Sequence, residues 1–170
     1  PSVCNALDTL LVHRNIAEQS VLAVVGALAP AGVSFRADER AYSILKSGDA
    51  SAEILPAGPE DFDTEWLSLV LGLKVVDNLD EAIRHIGLHS TGHSDGILTE
   101  NQENAQVFIR EVDSAAVYVN ASTRFTDGAQ LGLGSEAAIS TQKLHARGPL
   151  GLRELTTYKW VIEGQYQVRS

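Results

Sequence analysis

Hydrophobic and polar positions change their spacing several times along the chain, and each change marks an element. Leu10, Leu11 and Val12 form a short apolar run that predicts a strand. Asn15, with Glu18 three residues on, predicts a helix start. Ala17, Val21, Val24, Val25 and Leu28 then recur at helical spacing, and Pro30 and Gly32 predict the stop. From Gly48 to Gly58 the chain is rich in Ser, Gly, Pro and acidic residues, which predicts loop with a short strand at Glu53-Ile54-Leu55. Leu69 to Val76 is a longer apolar run, expected to be a strand buried on both faces.

Two helices with start signals follow. Asn78 and Glu81 open the first, whose apolar face is Leu79, Ala82, Ile83 and Ile86. Thr99 and Gln102 are expected to open the second, with Ala105, Phe108, Ile109 and Val112 facing inward. Gly96-Ile97-Leu98 lies between them and Ala115 to Asn120 after them, both strand-like. Strand, helix, strand, helix, strand with short links predicts an α/β fold, a mostly parallel open sheet with flanking helices. No internal repeat or low-complexity tract interrupts this order.

Beyond Asn120 the pattern fades. Residues 121–151 are rich in Gly, Ser and Thr, and so long an irregular stretch usually carries function. Tyr158-Lys159-Trp160-Val161-Ile162 and Tyr166-Gln167-Val168 predict a C-terminal strand with no obvious partner, of the kind that pairs with another subunit.

Composition narrows the classes. The length of 170 residues suits one ordinary domain with a sizeable core. Thirteen Lys and Arg against 22 Asp and Glu leave a formal charge of −9. Such a surface repels phosphate backbones and anionic lipid, so neither nucleic acid nor membrane is an expected partner; small molecules and other subunits are. Cys4 is the one cysteine, so no internal disulfide is possible, which fits a reducing compartment, and the expected location is the cytoplasm. No apolar run reaches the ~20 residues of a spanning helix. The chain lacks Met and starts at Pro1, which suits either initiator removal or a segment of a longer protein.

Four sets of residues are candidates for chemistry. Cys4 precedes Asn5-Ala6-Leu7-Asp8-Thr9, which could turn helical and place the thiol at unpaired backbone N–H groups that favour thiolate and hold an oxyanion. A buried, inert cysteine is the plainer alternative. His85, His89 and His93 are spaced by four after Glu81, but without a His-Glu-x-x-His pattern they read as solvated helix histidines, and no metal is expected. His93-Ser94-Asp95 is not a catalytic triad, because sequence neighbours rarely point at each other as a triad requires. Gly132-Leu133-Gly134 lacks the third glycine of a dinucleotide fingerprint. Arg124, after Ser122 and Thr123 in a polar loop, suits a carboxylate or phosphate as well as it suits plain solvent exposure.

Longer blocks carry a resemblance. They are Ser2-Val3-Cys4-Asn5-Ala6, Val76 through Ala82 leading to Ser90-Thr91-Gly92-His93-Ser94-Asp95, Val117 through Gly128, and Ser140 through Pro149. In these blocks the chain resembles the C-terminal part of the gamma-glutamyl phosphate reductases (glutamate-5-semialdehyde dehydrogenases), a branch of the aldehyde dehydrogenase superfamily. The resemblance runs from residue 1 to about residue 169. Members are more than twice as long, so it implies that the N-terminal dinucleotide-binding domain is absent here.

The resemblance implies an aldehyde dehydrogenase catalytic-domain fold over 1–150 and an oligomerisation strand over 151–170. It implies NADPH-dependent reduction of L-glutamyl 5-phosphate to L-glutamate 5-semialdehyde and phosphate, in proline biosynthesis, by an enzyme that is a homo-oligomer at full length. By the same resemblance Cys4 is the catalytic nucleophile and forms a thioester, and Glu65 holds the nicotinamide ribose. Ser122, Thr123 and Arg124 line the substrate mouth, with Gly92 and His93 near the same pocket. The segment alone is expected to be inactive. Two other readings stand beside this one: a non-catalytic α/β module that binds an acidic metabolite or a partner subunit, and a hydrolytic aldehyde dehydrogenase relative.

Overall fold

The computed structural model describes residues 1–47 and 52–170. Its centre is β4 (Val70–Val76), in which Leu71, Leu73, Val75 and Val76 are all buried, as an apolar run flanked on both faces requires. β1 (Thr9–His13) pairs with one edge of β4 and β2 (Ser34–Ala37) with the other, while β3 (Ile54–Pro56) pairs with β2. All three pairings are parallel, in the order β1-β4-β2-β3. Gly72 allows the closest approach within this sheet: a Cβ there would lie 3.0 Å from the Thr9 hydroxyl and 3.3 Å from the Phe62 ring.

Helix α1 (Ala17–Leu28) lays Ala17, Val21 and Val25 on the sheet, and α2 (Glu39–Lys46) adds Ala41 and Leu45. With Val12, Phe35, Ala37, Leu71, Leu73 and Val75 these form one continuous core. The start of α1 differs from expectation. His13 ends β1 in extended conformation and its Nδ1 accepts the Asn15 N–H, so a 3-10 turn covers Arg14–Ile16 and the α-helix begins at Ala17. Pro30 enters a further 3-10 turn, and Gly32, at φ 80°, closes it.

β2 and α2 are elements that the apolar spacing leaves unassigned. Their signals are short: alternate burial of Phe35 and Ala37, and the Asp38 carboxylate accepting the Ala41 N–H at 2.8 Å as an N-cap. The loop expected from Gly48 to Gly58 falls partly outside the described residues, and its strand begins one residue later than expected, at Ile54.

Helix α3 (Leu79–His89) is capped as expected: Asn78 Oδ1 accepts the Glu81 N–H, and the Glu81 carboxylate accepts the Asp77 N–H. It leads to β5 (Ser94–Ile97), α4 (Gln102–Glu111) and β6 (Ala116–Val119). Asn101, rather than Thr99, caps α4, because Thr99 Oγ1 accepts the Asn101 N–H and so turns the chain into the cap. Inside α4, Ala105 and Phe108 are buried with the following Val112, whereas Ile109 stays exposed.

β5 and β6 pair in parallel as expected, but as a separate two-stranded ladder rather than a continuation of the larger sheet. Residues 121–151 contain a 3-10 turn at Thr123–Phe125 and an antiparallel pair, β7 (Ala138–Ser140) with β8 (Gly148–Leu150).

Within the chain itself the expected C-terminal strand joins no ladder. Residues 158–168 are exposed throughout, including Trp160 and Ile162. Apolar alternation supplies the side chains of a strand, but a strand exists only when its backbone groups are paired. Among the described residues no helix is long and apolar enough to cross a membrane.

Candidate active site

Between β1 with its helix α1 and the β5–β6 ladder runs a cleft of about 730 Å³. Its walls are β1, Ser20 and Val24 of α1, the 62–65 turn, α3, β5 and part of α4, and Cys4 stands at its border. Cys4 is exposed and free. No helix begins there, contrary to expectation: residues 3–6 form a turn closed by the Ala6 N–H on the Val3 carbonyl at 2.9 Å, and the chain then extends into β1. Six residues from Cys4 to the start of β1 leave no room for a helix, so the helix-terminus argument for the thiol does not apply.

The turn is held by a loop far along the sequence. Asn5 is buried, and its Nδ2 donates to the carbonyl of Thr126 at 2.9 Å and to that of Arg124 at 3.4 Å. The Arg124 guanidinium donates to Asn5 Oδ1, and Thr123 Oγ1 donates to the Asn5 carbonyl at 2.8 Å. Four hydrogen bonds across about 120 residues thus clamp the cysteine turn to the 122–126 loop.

Of the expected site residues, Cys4, Glu65, Thr123 and His93 border the cleft. Gly92, Ser122 and Arg124 do not. Gly92, at φ +72°, makes the turn between α3 and β5, and its carbonyl accepts the Ala115 N–H. Ser122 Oγ accepts the Arg124 N–H and so starts the 3-10 turn, and Arg124 is engaged with Asn5. Glu65 is exposed at the cleft border, near Asp8. Burial pushes the Asp8 carboxyl above its ordinary 3.8; a hydrogen bond from the Trp66 backbone opposes this, and the Glu65 charge adds to the rise.

The histidines are not solvated as a group. His85 is buried, edge-on to Phe62 with centroids 5.2 Å apart and 4.3 Å from the His89 ring. Burial lowers its pKa from 6.5 to about 4; the neighbouring charges of His89 and Lys74 lower it further, against Asp63 and Glu81. The 62–65 turn folds over α3 and covers this face, which helical spacing within α3 cannot reveal. His89 Nδ1 meets Asp63 Oδ1 at 2.7 Å. Among the described residues, no group of three His, Cys, Asp or Glu is placed to hold a metal ion.

The triad order is not realised. His93 Nδ1 meets the Ser94 hydroxyl at 2.8 Å, while Asp95 accepts from the hydroxyls of Ser90 and Ser114 instead. Asn5, Asp8, Thr126 and Tyr118 are the site's unforeseen members; single polar residues in turns and strands carry no periodic signal.

No protein-family model matches the chain. The gamma-glutamyl phosphate reductase of Serratia marcescens is 56% identical over 170 residues, which is all of this chain and 40% of that protein. The crystal structure of the gamma-glutamyl phosphate reductase of Thermotoga maritima superposes with a TM-score of 0.91 at 53% identity, again over 100% of this chain and 40% of that one. In sequence, this chain belongs with part of the gamma-glutamyl phosphate reductases. It spans 40% of the length of these relatives. An acetylating aldehyde dehydrogenase from Geobacillus thermoglucosidasius shares the fold at 18% identity, with a TM-score of 0.66 over 99% of this chain and 45% of that one. The α/β architecture of this chain is therefore of the aldehyde dehydrogenase type.

Proposed function

We propose that the chain is the nucleophile-bearing part of a reductase that converts L-glutamyl 5-phosphate to L-glutamate 5-semialdehyde and phosphate, a step toward proline. One observation carries this reading: a match of 56% identity along the whole chain, with its lone cysteine exposed at the border of the cleft. In this reading residues 1–150 are the catalytic portion, residues 151–170 join copies of the enzyme into a homo-oligomer, and the enzyme works in the cytoplasm.

The thiolate of Cys4 attacks the acyl carbon, the bond to the phosphate oxygen breaks, and phosphate leaves a thioester on Cys4. In this reading the Cys4 backbone N–H donates to the oxyanion. An acyl phosphate carries its own good leaving group, so no general base is needed to release it. NADPH, when bound, supplies the hydride that reduces the thioester. The S–C bond to Cys4 then breaks and the aldehyde departs.

The donor set fits the nicotinamide end of such a cofactor: the exposed Glu65 carboxylate on the cleft border accepts from ribose hydroxyls. Thr123 and His93 offer hydrogen bonds to the substrate, and Arg124 acts by holding the Cys4 turn through Asn5.

The test replaces the matching segment of the Serratia marcescens reductase with this chain. Phosphate-dependent reduction of NADP by the cyclised semialdehyde is expected, and Cys4→Ala is expected to abolish it. Activity that persists in Cys4→Ala overturns the assignment. Turnover that needs no phosphate points to a hydrolytic enzyme instead.

A further inference from the structure

We infer that three hydroxyls, those of Tyr118, Thr126 and Ser94, hold His93 in the tautomer that carries its proton on Nε2, and so make it a hydrogen-bond donor to a ligand oxygen in the cleft. The hydroxyls form an unbranched chain. His93 Nδ1 lies 2.8 Å from Ser94 Oγ, Ser94 Oγ 2.6 Å from Thr126 Oγ1, and Thr126 Oγ1 2.6 Å from the Tyr118 hydroxyl. Thr126 is 2% exposed and His93 8%. The relay is therefore buried at Thr126 and His93 and half-buried at Ser94 and Tyr118.

The fold assembles this chain from three places. Ser94 and Tyr118 lie on the parallel strands β5 and β6, where Tyr118 stands opposite Gly96. A Cβ at position 96 would sit 3.2 Å from the Tyr118 Cβ, so the glycine leaves room beside the tyrosine. Thr126 arrives from the loop that Asn5 clamps, and its carbonyl accepts from Asn5 while its hydroxyl joins the chain.

Proton counting gives the direction. Each hydroxyl has one proton to donate. Among the described residues the Tyr118 hydroxyl has no partner other than Thr126. If Tyr118 donates to Thr126, Thr126 to Ser94 and Ser94 to Nδ1, all three protons have acceptors within the protein. In the opposite direction Thr126 would donate to the phenol oxygen and leave the Tyr118 proton to solvent, although a phenol is a stronger hydrogen-bond donor and a weaker acceptor than an alkyl hydroxyl. The first direction makes Nδ1 an acceptor and leaves the proton of the neutral ring on Nε2. That nitrogen is buried and has no protein partner, and His93 borders the cleft. An acceptor oxygen of a phosphate or acyl group completes the set. Tyr118, Thr126 and Ser94 are then positioning residues that act through His93. The tautomer stands on these hydrogen bonds alone; the identity of the ligand rests on the reductase reading.

The test is the 15N spectrum of the His93 imidazole in the intact protein labelled with 15N-histidine, assigned by its loss in His93→Asn. A proton on Nε2 and an unprotonated Nδ1 are expected, unchanged in Thr126→Ser. Tyr118→Phe and Thr126→Val are expected to mix the two tautomers. Inorganic phosphate is expected to shift the Nε2 proton resonance saturably. A proton on Nδ1 in the parent protein, or a tautomer indifferent to both Tyr118→Phe and Thr126→Val, overturns the relay. No response to phosphate overturns the donor role, and each of these results leaves the Cys4 assignment standing. Tyr118 is only partly buried, so its variant remains informative if Thr126→Val fails to fold.

Discussion

The four-stranded half of the molecule and the half built on β5, β6 and the 122–126 loop are held together by different forces. In the first, eleven buried apolar side chains from three strands and two helices form one core around β4. In the second, Ala105, Phe108 and Val112 are the buried apolar residues, and polar ties join the parts: Asn5 across to Thr126 and Arg124, Thr126 to Ser94, and Thr126 to the nearby Tyr118. Apolar burial is additive and tolerant of direction, so it builds a frame. Hydrogen bonds fix distance and angle, so they suit the half that must hold Cys4 and His93 in register.

Phe35→Ala tests the apolar half and should have the largest effect. Phe35 is fully buried, and its loss should cost about 3–5 kcal/mol in a urea melt, through lost transfer energy and the cavity left behind. A cost below about 1 kcal/mol would mean that the sheet half is not the stability centre.

His85 adds a pH dependence at the seam between the halves. Its pKa is about 4 in the folded chain against 6.5, so the folded state prefers the neutral ring. Its contribution is complete above pH 6.5, is lost as the pH falls from 6.5 toward 4, and changes no further below that. The loss should reach up to about 3 kcal/mol. His85→Gln should flatten the stability profile across this window. An unchanged slope would show that His85 is not the group that titrates.

Asn5→Ala sharpens the comparison at a smaller cost, about 1–3 kcal/mol, because it leaves buried carbonyls without donors. Amide exchange should rise at residues 122–126 while β4 keeps its protection. Equal rises in both regions would mean that the two halves unfold as one unit.

The same contrast decides what the sequence reveals. β1, α1, β4, α3 and the β5–β6 pair follow from apolar spacing, because burial repeats with the backbone period. β2 and α2 are too short for that signal and rest on a two-residue alternation and the Asp38 cap. The split into two sheets is not legible either, since strand order depends on which edges meet. Cys4 and His93 stand out by residue type and motif. Asn5, Thr126 and Tyr118 do not, because a polar residue in a turn reads the same whether it faces water or bonds a partner about 120 residues away. The tail at 158–168 is the complementary case: its side chains follow strand alternation, and within this chain its backbone joins no ladder.

The most direct test of the nucleophile assignment is a single-turnover experiment on the Serratia chimera with NADP and the cyclised semialdehyde, phosphate withheld. A burst of one NADPH per site is expected, after which the reaction stops, with the glutamyl mass found on Cys4 and released by added phosphate. Steady turnover without phosphate, or an acyl group carried on another residue, would contradict the assignment.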